Sequence, residues 1–150
     1  MSIELRISKR RISYKNAMKI LLKRVEEVKA NKADELLWQA KEKIERGKYR
    51  KAASRLKDAL KIYKQEFFDL VDYDKMVDAY LQLAIAQFEQ GYKDNSRETI
   101  DELIVLRPDT RVDPRIFDSE FIELLEQSRQ RAQSRTTGQI YVTSEPMGAD

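Results

Sequence analysis

Gly47 and Gly91 each close one amphipathic stretch and open another, and the residues around them correspond position for position. Before Gly47, residues Leu36, Leu37, Ala40 and Ile44 recur at helical spacing, and after it Tyr49, Ala52, Ala53, Leu56, Ala59, Leu60 and Tyr63 do the same. Before Gly91 the series is Val77, Tyr80, Leu81, Leu83, Ala84, Ile85 and Phe88, and after it Thr99, Ile100, Leu103, Ile104 and Leu106, ending at Pro108. A glycine between two such series supplies a left-handed cap without a Cβ penalty. The pattern therefore predicts two copies of one helical hairpin.

The flanks extend this all-helical plan. Ser13 is a candidate N-cap for a helix bearing Ala17, Met18, Leu21, Leu22, Val25 and Val28. Asn31–Asp34 either interrupts that helix before Leu36 or lies within one continuous rod. The helix after Gly47 is expected to reach Phe68, with the acidic stretch from Asp69 to Lys75 as the connection. Pro108 and Pro114 bound an extended linker, after which Asp118 or Ser119 can cap a closing helix with Phe121, Ile122, Leu124 and Leu125. From Gly138 the pattern alternates, Ile140 and Val142 against Tyr141 and Thr143, which predicts a short β-strand. The expected organisation is an N-terminal arm over 1–12, a helical domain over 13–134, and a linker with the start of a β-module over 135–150.

Composition agrees with long solvated helices: 37% of the 150 residues are charged, and there are four glycines and three prolines. The net charge of +3 conceals a dipole. Residues 1–32 hold ten Lys or Arg against three Glu, whereas residues 58–127 hold eight Lys or Arg against seventeen Asp or Glu. Without cysteine or histidine there is no disulfide, no thiolate or imidazole metal ligand, and no Cys- or His-activated nucleophile. No run of 18 apolar residues suggests a membrane span, and Met1–Arg6 lacks the apolar core of a leader.

The paired series resemble tetratricopeptide (TPR) repeats, in which small residues let paired helices approach closely. Leu36, Ala40, Gly47, Tyr49, Ala52, Leu56 and Ala59 match in the first hairpin, and Tyr80, Leu83, Ala84, Phe88, Gly91, Ile100 and Pro108 in the second. Ser96 and Leu103 replace the usual alanines, so a looser crossing is expected there. The glycines stand 44 residues apart, against about 34 in that family, and the extra length falls between Tyr63 and Lys75. The tail from Gly138 to Asp150 resembles the opening strand and turn of a PEGA domain: Pro146, Gly148 and Ala149 match, and Met147 replaces Glu. The resemblance implies an all-α TPR-like array of antiparallel hairpins ending in a short β-strand or disordered tail. It also implies a bacterial cell-envelope or periplasmic protein, whereas the N-terminus points to the cytoplasm.

In TPR proteins the first helix of each hairpin lines a concave groove. The matching positions here are Leu37, Lys41 and Ile44, then Leu81, Ile85 and Phe88. They imply a non-enzymatic scaffold that binds a protein partner. The alternative is that the N- or C-terminal helix fills the groove as core. Trp38, the sole tryptophan, reads as an interface anchor or, with more weight, as packing filler. Lys9–Arg11 with Lys15, Lys19, Lys23 and Arg24 suggests a second function class, binding to an anionic surface or nucleic acid. Against it stand a merely solvated face and self-association on the acidic middle of another copy, and nucleic acid is the less favoured partner. Asp72, Asp74 and Asp78, or Asp109 and Asp113, lack the loop pattern of a calcium site. No catalytic, cofactor-binding or metal-binding residue is assigned.

Overall fold

Ser13 has the extended backbone of an N-cap, φ −64° and ψ 147°, and its Oγ accepts the Asn16 N–H at 3.2 Å. From this cap helix α1 runs unbroken through Tyr14–Glu45. The Asn31–Asp34 stretch thus lies inside one rod, as expected where neither glycine nor proline interrupts the backbone ladder. The computed structural model describes residues 13–65 and 72–149, with side chains described as far as Arg135. The expected N-terminal arm and the stretch from Glu66 to Val71, including the end proposed at Phe68, lie outside the described residues. Helices α2 (Tyr49–Gln65), α3 (Tyr73–Glu89), α4 (Lys93–Leu106) and α5 (Ser119–Ala149) follow.

Both hairpin turns use the same device. Gly47 has φ +72° and Gly91 φ +85°. The Gly47 N–H donates to Ile44 O at 2.9 Å and the Lys48 N–H to Lys43 O at 2.8 Å. The Gly91 N–H donates to Phe88 O and the Tyr92 N–H to Gln87 O, both at 2.9 Å. These are the paired bonds of a Schellman cap, which satisfy carbonyls the helix end would leave orphaned.

Each helix packs on the next in sequence, and α1 also touches α3. Small residues permit the close approaches. Ala40, Ala52 and Ala59 are fully buried in the first hairpin, and Ala84, Ser96 and Leu103 are fully buried at the corresponding places in the second. The Ser96 hydroxyl donates to Ala84 O at 2.8 Å and so ties α4 to α3. One core cluster, from Ala33 to Leu103, binds the first three helices together and reaches Leu103 of α4; a second joins Ala84, Ile100 and Ile104 to Phe121, Leu124 and Leu125 of α5.

The tail departs from expectation. Residues 135–149 continue α5, so the strand expected over Ile140–Thr143 is absent, and the described residues contain no strand. Its β-branched residues favour a strand in isolation, but a lone strand leaves its backbone groups unpaired while a helix pairs its own.

At neither turn glycine would an added Cβ meet any atom within 4 Å, so substitution there tests backbone conformation alone. We expect Gly47→Ala and Gly91→Ala each to cost about 1 kcal/mol in denaturant melts, and Gly→Asn to cost less, with helix content unchanged by circular dichroism.

Candidate protein-binding groove

Helices α1 and α3 lie side by side, joined by charge. Lys41 Nζ on α1 bonds Asp78 Oδ2 on α3 at 2.8 Å, and Lys75 on α3 bonds Asp34 on α1 at 2.7 Å. Tyr63 reaches across from α2, its hydroxyl donating to Asp34 at 2.6 Å. Burial and the adjacent Asp34 carboxylate push the Tyr63 hydroxyl above its ordinary pKa, which keeps it a donor. The Asp34 bond raises Lys75. These pairs are solvent-exposed and bridge the two helices at the surface, over the buried Leu37.

Three hollows follow this face. The first, about 410 Å³, lies among Leu37, Trp38 and Lys41 of α1 and Lys75 and Asp78 of α3. The second, about 360 Å³, is formed by Ile44, Tyr49, Ile85, Phe88, Ile116 and Phe117, with Glu89 and Asp118 at its edge. The third, about 320 Å³, holds Leu81 with Val77, Arg107 and Asp109. The structure therefore distributes the six groove positions: Leu37 and Lys41 meet in the first hollow, Ile44, Ile85 and Phe88 in the second, and Leu81 stands apart. Leu81 touches both core clusters and is half-buried.

Neither simple account of the groove holds throughout. The N-terminal half of α1 does not fill it, since Leu21 and Val28 are 55% and 68% exposed. Helix α5 does close one end, where the Phe121 ring meets Phe88 edge-on at 5.5 Å and stacks on Phe117 at 5.8 Å. Trp38 is not packing filler: it is 66% exposed at the rim of the first hollow. Its position on α1 turns the ring away from the face that carries Ala33, Leu37 and Ala40 into the core.

Sequence reasoning missed Ile116, Phe117 and Phe121 as groove residues. Their signal was an apolar cluster at the end of a proline-bounded linker. What makes the linker part of a surface is Arg129 on α5, only 9% exposed. Its Nε donates to Pro108 O at 2.9 Å, and its terminal nitrogens bond Thr110 O and Glu126. Thr110 Oγ1 donates to Arg107 O at 2.8 Å, and the Arg115 N–H to Asp113 Oδ1 at 2.9 Å. So clamped, the linker presents Ile116 and Phe117 at a set place.

Several other acidic residues have structural partners. Asp72 caps α3, Asp74 pairs with Arg107, and Asp113 pairs with Arg115 at 3.0 Å. Asp101 ties α4 to α5, accepting from Ser128 at 2.5 Å and Arg131 at 2.7 Å. Burial works against the Asp101 charge, but those two bonds outweigh it and hold the carboxyl below its ordinary value of 3.8. No family model, curated protein or solved structure matches the chain.

Arg129→Met should strip the two linker carbonyls of their donor and cost about 2–3 kcal/mol, read as a lowered denaturation midpoint with faster hydrogen exchange over 107–118. Because the Asp101 pKa is depressed on folding, its stabilisation is complete above 3.8 and is lost as pH falls through the lower folded value. The thermal midpoint of the wild type should therefore fall more steeply on acidification below about pH 4 than that of Asp101→Asn.

Proposed function

We propose that the chain is a non-enzymatic scaffold of two TPR-like hairpins that binds a protein partner along the α1–α3 face. One observation carries this reading: Trp38 is exposed at a hollow it shares with buried Leu37 and a ring of charged side chains, and half-buried Ile44, Ile85 and Phe88 line a second hollow further along the same two helices. An exposed tryptophan at the rim of a hollow is the kind of group that anchors protein interfaces. The Lys41–Asp78 and Lys75–Asp34 pairs bridge the two helices at the surface of this face.

The repeated turn geometry, the sequential helix contacts and the added α1–α3 contact all fit a TPR-like stack. The resemblance of the tail to the start of a PEGA domain carries the further proposal of a cell-envelope or periplasmic protein, with the cytoplasm as the alternative.

Capture from an extract of the source organism should yield a partner that stays bound at high salt, because apolar contacts are not screened. Trp38→Ala should weaken that partner about tenfold or more while leaving the thermal midpoint unchanged. On partner addition the wild-type tryptophan emission should shift to the blue. Equal capture by wild type and Trp38→Ala would place the contact elsewhere.

A further inference from the structure

Helix α1 carries two different apolar stripes. In its C-terminal half Ala33, Leu37, Ala40 and Ile44 face the core. In its N-terminal half Met18, Leu21, Val25 and Val28 recur at alternating intervals of three and four residues, with Leu22 beside them, and all are exposed. From Val28 to Ala33 the step is five residues, about 140° round the helix, so the N-terminal stripe is turned well away from the core-facing side. It is thus turned away from the body, and no element among the described residues covers it.

At about 100° per residue the charges that border this stripe are Lys15 and Arg24, while Lys19 and Lys23 lie further round the helix with Glu26 and Glu27. Lys15, Lys19, Lys23 and Arg24 are exposed, and among the described residues none of them forms an ion pair. The second hollow has the opposite character. Ile85, Phe88, Ile116 and Phe117 make an apolar trough, with Ile116 76% exposed, and Glu89 and Asp118 stand at its edge. Neither carboxylate forms an ion pair among the described residues; the cation nearest Phe88, Lys93, is taken by Glu120. An apolar stripe flanked by cations and an apolar trough edged by anions are complementary.

We propose that the N-terminal half of α1 from one copy seats in the Ile85–Phe117 trough of a second copy, assembling the chain head to tail. The proposal rests on the reading of the α1–α3 face as a binding surface and names the occupant of one part of it. The contact must form between copies, because α1 is one continuous rod whose C-terminal end lies at the trough. Leu21 stands 23 residues from Ile44, which in a helix is about 34 Å, so the arm cannot reach its own trough. A pair formed stripe against stripe would instead bring the flanking Lys15 and Arg24 of two copies near one another. The seating is that of an amphipathic helix in a groove, with anchors three and four residues apart. Because the two surfaces differ, it does not close as a symmetric dimer and can propagate.

The test uses two variants of the full chain whose substituted residues are exposed. Leu21→Glu with Val25→Glu disables the arm; Glu89→Lys with Ile116→Lys disables the trough. Sedimentation velocity should show wild-type mass rising with concentration, less so in high salt, and each variant alone should remain a monomer. The two variants mixed should form a one-to-one dimer that grows no further, because one retains a trough and the other an arm. A wild type that stays monomeric at high concentration would overturn self-assembly while leaving capture of a foreign partner through Trp38 intact. Continued association of the trough variant by itself would show arm-to-arm pairing and overturn the proposal. So would a monomeric wild type whose arm binds phosphatidylglycerol vesicles.

Discussion

The close approach of paired helices at small side chains, fixed by a left-handed glycine at each bend, is the constraint on which the rest of the structure depends. Gly47 and Gly91 reverse the chain in three residues and satisfy the carbonyls at the ends of α1 and α3. Reversal that tight forces the partner helices into contact, and only residues such as Ala40 and Ala52, or Ala84 and Ser96, allow the backbones to meet. Once both hairpins close, α1 and α3 are left on the same face, where lysine and aspartate side chains join them.

The second determinant is a clamp. A proline-bounded linker has few internal hydrogen bonds, and its carbonyls at Pro108 and Thr110 would otherwise depend on solvent. Arg129 supplies the donors from α5 and is itself nearly buried in doing so. A charged group that satisfies several backbone acceptors at once gives the linker a single conformation. That conformation places Ile116 and Phe117 beside Phe88, converting a connection into the wall of a hollow.

Much of the architecture was legible in the residues. The helical spacing, the two glycines and the Ser13 cap each had a local physical cause, and local causes survive folding. The tail was misread for the same reason. Ile140, Tyr141, Val142 and Thr143 carry the alternation of a strand, but a strand requires a neighbour, and none exists among the described residues. Trp38 was weighted toward packing because it adjoins the apolar stripe, yet one residue of offset on a helix is about 100°, enough to turn a side chain from core to solvent. The six groove positions lie on α1 and α3, and the hollows at Ile85 and at Leu81 are completed by α5 and the linker, which lie far along the chain.

The sequence by itself determined that the chain is helical, that it bends at Gly47 and Gly91, and that basic and acidic residues are segregated along it, because periodicity, backbone freedom at glycine and formal charge are properties of residues and their neighbours. The tertiary structure alone decided that α1 continues past its own core as an uncovered arm and that Arg129 builds a trough from the linker. It also decided that, among the described residues, the trough's carboxylates form no ion pair while Asp34, Asp78 and Asp101 are engaged. Those outcomes depend on which distant side chains meet, and no local pattern encodes a contact between helices separated by scores of residues.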